Sequence, residues 1–346
     1  MDHRTFFEEA SKALTAEELG PSRGKLAIGL DENLAKEFFP ALMELMSKIQ
    51  IAELLTSTRL IGMECPGENS LFSDLNVEFK DPKNENYLIF NVLEYDPRFA
   101  RVTINIQGPS IQGVLGAFLR PSPKQQPSFS QIRTIVAPEE FSGQSALIIG
   151  GTRGLGEVTA KILAAGGAKV LITYFKGVDD ARRIQEELSR SGSLVQTIFF
   201  DAGAPEQVDN SVISAFSPTH LYYFATPFIF DGVKKRFSER LFDSFIDTYV
   251  KGFWRVFEKV NACKSLRFVL YPSTSALDEM PINMFEYAVA KAAGESMCAY
   301  IKKFFPDVAV VTPRLQRLAT DQTVSLVAVN NQDPVPEMLK HLRGSL

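Results

Sequence analysis

Tyr287 and Lys291 stand four residues apart in Tyr287-Ala288-Val289-Ala290-Lys291. On a helix that spacing places both side chains on one face, one turn apart. An ammonium near a phenol favours the phenolate, which makes the tyrosine a usable general acid near neutral pH. Ordinary helix surfaces also carry such pairs, so the spacing needs company. It has company upstream. In Ala146-Leu147-Ile148-Ile149-Gly150-Gly151-Thr152-Arg153-Gly154-Leu155-Gly156 an apolar run of strand type meets a glycine-rich turn. The turn opens into a helix-like segment from Glu157 to Leu163. Gly150 permits a tight bend, Gly154 lets backbone approach a pyrophosphate, and Gly156 lets helix and strand pack closely. Unpaired N–H groups and the positive dipole end of the helix suit a phosphate. Thr152, Arg153 and Leu155 complete this candidate cradle.

The next strand-like run, Lys169 to Tyr174, ends without a carboxylate and is followed by Phe175 and Lys176. An acidic side chain at that point would hold a ribose 2′-hydroxyl. Lys176 and Arg153 instead suit a 2′-phosphate, Arg by bidentate contact. They could equally be solvated surface cations. NADP(H) is expected over NAD(H) on this charge argument.

The segment from about Gln144 to Thr323 resembles the short-chain dehydrogenase/reductase family. The resemblance rests on the glycine turn, on Tyr287 and Lys291, on Pro272 to Ser275 before the Tyr, and on Pro313-Arg314 and Thr320 near the end. It implies that Tyr287 protonates a carbonyl oxygen, that Lys291 holds the nicotinamide ribose, and that Thr320 contacts the nicotinamide. It also places Asp201 and Ala202 near the adenine, and Ala225 and Pro313 along the cofactor. The family's Ser falls at Thr274, with Ser273 and Ser275 on either side. Any of the three hydroxyls could hold the carbonyl. The family usually has Pro-Gly where this chain has Pro313-Arg314. Tyr223-Phe224-Ala225-Thr226 replaces Asn-Asn-Ala-Gly, and Tyr249 stands where an Asn usually holds a proton-relay water. Without that Asn, a cofactor-binding sensor or scaffold stays open beside an enzyme.

Helical spacing over Leu34–Leu55 predicts one long helix, with Phe38, Leu42, Leu45, Met46, Ile49 and Ala52 toward a core and Asp31 as N-cap. Strands are expected over 71–80, 87–95, 100–107 and 111–119, joined by short turns as an antiparallel meander. Arg59 to Gly67 and Gly113 to Arg120 resemble recurring turns of the hot-dog fold of acyl-thioester dehydratases and thioesterases. Dehydratases of that fold use a His, but the histidines here are His3, His220 and His341, none of them in this unit. His-dependent dehydration is thereby excluded. Asp31 and Glu44 remain as carboxylates of a thioesterase-type site, or as an N-cap and a solvated helix face.

The chain has 346 residues, enough for two domains, and its 45% hydrophobic and 23% charged residues are an ordinary globular balance. A net charge of −4 gives no reason to expect nucleic acid. Cys65, Cys263 and Cys298 lack metal spacing and read as reduced thiols, so no metal is expected. No apolar run reaches the ~20 residues of a membrane span, and Met1-Asp2-His3-Arg4 lacks the core of a signal peptide. No membrane partner and a cytoplasmic location are expected.

The expected organisation is an extension over 1–24, an α+β hot-dog-like domain over 25–120, and a Pro-rich linker over 121–141. A Rossmann-type α/β domain with a doubly wound parallel sheet then fills 142–346. The helix predicted from Ser238 to Val260 carries Phe253, Trp254 and Phe257 as core or interface. Relatives dimerise through this helix and that of Tyr287, so a homodimer or homotetramer is expected. The expected activity is NADPH-dependent carbonyl reduction. The hot-dog partner points to a 3-oxoacyl thioester on acyl carrier protein or coenzyme A, and a sugar or polyketide ketone is the alternative substrate.

Overall fold

The computed structural model describes residues 10–122, 124–204, 210–233, 236–323 and 329–344. His3 lies outside them. The described residues form two compact units, 10–122 and 124–323 with 330–344.

The first unit runs α1 (Ala16–Leu19), β1 (Arg23–Ala27), α2 (Glu32–Phe38), α3 (Pro40–Leu45) and α4 (Lys48–Arg59). After a π-helical turn, Leu60–Glu64, come β2 (Ser70–Phe79), β3 (Tyr87–Asp96), β4 (Arg101–Gln107) and β5 (Ile111–Leu119). β1 and α1 thus lie within or next to the span expected as an extension, and Leu19 is fully buried. The single helix expected over 34–55 is three helices. Pro40 cannot extend α2, and Phe39 takes φ −132°, ψ 50°. Met46 is extended, and Ser47 starts α4 with a capping box to Gln50. The apolar stripe is broken with the helix: Phe38 is 66% exposed and Leu45 82%. Asp31 caps α2 by accepting from the Asn33 and Leu34 N–H groups, and Glu44 is exposed.

The five strands form an antiparallel sheet in the order β1-β3-β4-β5-β2. Strands β3 to β5 make the expected meander, but β2 pairs with β5 at the far edge, not with β3. The connecting segment Asp81-Pro82-Lys83 lacks two-residue hairpin chemistry. It is tied instead to the β4–β5 turn by Lys80 N–H to Ser110 carbonyl, 2.7 Å, and Lys83 N–H to Pro109 carbonyl, 3.0 Å. Val102, Ile104 and Ile106 point inward against Leu88, Leu115 and Ala52.

The second unit runs α5 (Phe129–Ile132), β6 (Ser145–Ile149), α6 (Gly154–Ala165), β7 (Lys169–Tyr174), α7 (Val178–Ser189) and β8 (Val195–Phe199). It continues through α8 (Asn210–Phe216), β9 (His220–Tyr223), α9 (Glu239–Ile246), a π turn (Asp247–Gly252) and α10 (Phe253–Asn261). Then follow β10 (Phe268–Leu270), β11 (Ser273–Thr274), α11 (Ala276–Glu279), α12 (Phe285–Phe304), β12 (Ala309–Val311), β13 (Arg314–Leu315) and α13 (Pro334–Arg343). The helix expected over 238–260 is therefore interrupted by a π turn. The main sheet is wholly parallel, in the order β12-β10-β9-β6-β7-β8. Alternate strand residues face two cores. Ile148 and Tyr222 meet α5, α6 and α13, while Leu147 and Tyr223 meet α9, α10 and α12.

The stretch 121–141 is not a spacer throughout. Phe129, Ile132, Val136 and Phe141 are buried in the first of these cores. Ser128, itself extended, starts α5 with a capping box to Gln131.

Glu53 of α4 is fully buried and accepts from the N–H groups of Ser110 (3.0 Å) and Ile111 (3.3 Å) and from the Ser110 hydroxyl. It holds the β4–β5 turn. Glu53→Ala leaves those donors unmet in the interior and is expected to destabilise the first unit by about 2–4 kcal/mol. Urea unfolding measures this, and a change below about 0.5 kcal/mol would show the bonds to be dispensable.

Candidate active site

The reversal of strand order lies between β6 and β9, and the glycine turn follows β6 there. In open α/β sheets this crevice, beyond the carboxyl ends of the strands, is where ligands bind. Gly150 has φ +76° and Gly154 φ +55°, values that an L side chain rarely adopts. A Cβ on Gly156 would overlap the Gly150 carbonyl, so helix and turn touch as backbone. Thr173 fixes the turn through its hydroxyl to Gly150 N–H at 3.0 Å and its carbonyl to Gly151 N–H at 3.1 Å. Arg153 is the extended N-cap of α6 but offers no side-chain cap. The first N–H groups of this helix are therefore left for another acceptor. Two strained glycines, a contact that excludes a Cβ and an uncapped helix start fit a dinucleotide phosphate.

The other predicted cofactor residues gather around this turn or along the strand ends. Thr320 lies against Gly154, with its methyl carbon 3.5 Å from where a Cβ would sit. The Thr320 N–H donates to the Thr323 hydroxyl at 2.9 Å. Ala225 backbone approaches Gly150, Leu155 packs on the core, and Thr152 and Ala202 are buried. Asp201 accepts from Gly203 N–H at 2.8 Å. Lys176 is exposed, its ammonium 5.8 Å from the Phe175 ring centre. Arg153 bridges two carboxylates, Asp180 at 3.5 Å and Asp321 at 3.3 Å.

The catalytic candidates converge at the ends of β10 and β11 and on α12. Pairing of β11 with β13 sets Ser273 opposite Arg314 and Thr274 opposite Leu315. The three open hydroxyls separate. Ser273 donates to Glu295 at 2.5 Å, and Ser275 donates its N–H to the Leu315 carbonyl at 2.9 Å. Thr274 is the one of the three that acts on the Tyr287 phenol, in the lowering sense. It also accepts from Ala276 N–H at 3.1 Å. Pro313 holds Ser273 by its carbonyl at 2.8 Å. Arg314, in place of a glycine, grips Glu295 at 2.8 Å and Asp278 at 2.6 Å.

One expectation fails here. The sequence argument has the Tyr287 phenol lowered by Lys291. Burial dominates instead and pushes it up to about 12, with the Thr274 hydrogen bond acting in the lowering sense. The same burial pulls the Lys291 ammonium down to about 7. Its Nζ donates to the Pro272 carbonyl at 2.7 Å and sits 6.0 Å from the Tyr287 ring centre.

Sequence reasoning missed a charge cluster beneath the turn, built on the buried Glu157 and Lys161 with the exposed Arg183 joining them. Arg183 makes two bonds of 2.9 Å to Glu157 and one of 3.3 Å to the Thr152 carbonyl. Lys161 pairs with Glu157 at 2.8 Å. Glu157 and Lys161 at i and i+4 were the available signal, and helix α7 had to be placed before Arg183 could join them. Tyr271 was also missed, because nothing in its local sequence separates it from a core tyrosine.

Residues 144–311 match the KR domain family. The chain is 28% identical over 120 residues to the 3-oxoacyl-[acyl-carrier-protein] reductase FabG of Staphylococcus epidermidis, covering 34% of this chain and 49% of that protein. It is 33% identical over 82 residues to the short-chain dehydrogenase/reductase FrzI of Cladobotryum sp., covering 23% and 32%. The chain thus spans about half the length, 49%, of the FabG relative and less of FrzI. Among solved structures, the angucycline C-6 ketoreductase LanV with bound NADP aligns with a TM-score of 0.53 at 15% identity, over 60% of this chain and 90% of that one. A short chain dehydrogenase from Burkholderia cenocepacia J2315 in complex with NADP aligns at 0.50 and 20% identity, over 58% and 90%. These structural likenesses speak to the fold alone. Residues 144–311 match the KR domain model, and they lie on a Rossmann-like, wholly parallel sheet.

Proposed function

We propose that this protein is an NADPH-dependent carbonyl reductase, and that its substrate is a 3-oxoacyl thioester carried by acyl carrier protein or coenzyme A. The convergence of Thr274, Tyr287 and Lys291, with an uncapped, glycine-lined helix start in the same unit, carries the reading. The name of the FabG relative supports the substrate class. Gly150, Thr152, Gly154, Leu155 and Gly156 would hold the pyrophosphate. Arg153 and Lys176 would meet the 2′-phosphate, Asp201 and Ala202 the adenine side, and Ala225, Pro313 and Thr320 the nicotinamide side. When bound, the dinucleotide supplies the hydride.

The chain's own residues handle the oxygen. Thr274 donates to the carbonyl oxygen and fixes its place against Tyr287. Tyr287, kept protonated by burial, gives its proton as negative charge develops. Lys291, buried beside it, stabilises the phenolate left behind. We read the first unit as a degenerate hot-dog domain, from α4 packed on an antiparallel sheet. It lacks a His for dehydration, and assembly as a homodimer or homotetramer remains part of the proposal. A second reading, cofactor binding without turnover, is favoured by one observation: Tyr249 occupies the Asn position. NADPH oxidation with a panel of acyl-thioester ketones separates the two, since a sensor binds NADPH yet oxidises none.

Tyr287→Phe is expected to bind NADPH as before and to lose about a hundredfold in kcat, the scale of a missing general acid. Undiminished kcat on the true substrate would remove Tyr287 from the role. Arg153→Ala is expected to weaken NADPH binding roughly tenfold to thirtyfold through a lost charge-assisted contact, and to leave NADH nearly unchanged. Titration calorimetry measures both, and equal affinities of the unsubstituted protein for the two cofactors would refute the 2′-phosphate assignment. The pH dependence has a definite sign. Lys291 loses its charge as pH rises through about 7, whereas Tyr287 stays protonated to about 12. Reduction should therefore slow above neutrality, and a kcat that held constant from about pH 6 to about pH 9 would contradict this.

A further inference from the structure

Lys291 is seated by aromatic faces. Its Nζ lies 4.1 Å from the ring centre of Tyr249 and 4.7 Å from that of Tyr271, with Tyr287 farther at 6.0 Å. The side chain is buried, and its one hydrogen bond is to the Pro272 carbonyl. The acidic groups acting on it come from its own helix. Glu295 is committed to Arg314 and Ser273, and Cys298 stays a neutral thiol because burial pushes it up to about 11. From the π turn Tyr249 faces it, and from the segment after β10 Tyr271 and Pro272. Burial raises Tyr249 and Tyr271 well above the usual phenol range, so both rings stay neutral. A desolvated ammonium over neutral phenol faces is attracted to their negative π clouds.

The rings are held in place. The Tyr271 hydroxyl donates to the Tyr249 carbonyl at 3.1 Å. The Tyr249 hydroxyl bonds the Thr226 hydroxyl at 2.5 Å, and Phe245 stacks on its ring at 5.8 Å. Gly294, three residues after Lys291, leaves room for Tyr271, since a Cβ there would overlap the phenol. The π turn swings Tyr249 into this position at a point where a regular helix would carry the chain past it.

We propose that Tyr249 and Tyr271 are positioning residues that seat the Lys291 ammonium on their ring faces. Its consequence for turnover rests on the reductase reading; the seating itself is a property of the chain. Lysine carbon NMR of the whole protein, with the Lys291 signal identified by its loss in Lys291→Met, reads the seating without any substrate. Tyr249→Phe keeps the ring and should leave the Lys291 titration midpoint in place. Tyr249→Leu removes the ring, and the midpoint should fall by roughly one pH unit, a tenfold loss for the charged form. Gly294→Ala pushes Tyr271 off the ammonium and should lower the midpoint in the same sense with Tyr249 intact, which keeps the test available if the Leu variant does not fold. An unchanged midpoint in Gly294→Ala, or a rise in either variant as entering water would give, overturns the proposal. If Lys291→Met were as active as the unsubstituted protein, the reductase role of Lys291 would fail, while the NMR midpoints would still decide the seating.

Discussion

Glu157 carries a charge at 3% exposure, and the second unit is organised around answering it. Burial alone would push its carboxyl up, but Arg183 and Lys161 outweigh that and hold it below the usual range. Lys161, also buried, reaches Glu187 at 3.0 Å and the Pro127 carbonyl at 2.9 Å. Arg183 reaches up to Thr152 in the glycine turn. One cluster therefore ties the turn to α6, to α7 and to the chain before β6. Removal of Glu157 would leave the buried Lys161 short of its partner at a cost of about 3–5 kcal/mol, whereas apolar replacement of the buried pair could be neutral. The cluster is thus better understood as fixing where the turn sits than as a source of stability.

Legibility followed the range of each interaction. The parallel strands and the glycine turn were readable because their signals are local: apolar runs, positive-φ glycines and a helix start. Tyr287 and Lys291 were readable because helical spacing predicts their shared face. The engagement of Ser273 with Glu295 could not be read until β11 paired with β13. The break of the long helix at Phe39 was visible in principle in Pro40. The apolar periodicity on either side of it masked the break, yet Phe38 and Leu45 face solvent. The position of β2 beside β5 was not readable at all, since it depends on a pairing across the whole sheet.

Burial acts on the two catalytic candidates with opposite signs. It favours the neutral form of each, so the phenol rises and the ammonium falls. A dry site therefore keeps the phenol protonated and weakens the charge of the amine. The Tyr249 and Tyr271 ring faces, 4.1 and 4.7 Å from the Lys291 ammonium, act against that loss. Tyr249 is held beside Tyr271 by the Tyr271 hydroxyl, and Gly294 leaves the room that Tyr271 needs.

The packing of Phe129, Ile132, Val136 and Phe141 bears on modularity. The recognisable family segment starts at residue 144, yet the second unit's core draws on chain well before that point. A gene fusion or excision at the family boundary would carry away four core side chains and the carbonyl that Lys161 uses. The seam along which this domain can be moved between proteins lies instead ahead of Gln126, whose amide donates to the Ala319 carbonyl at 3.1 Å. Recombination there would transfer an intact core, so the proline-rich stretch is where such exchanges would leave a folded product.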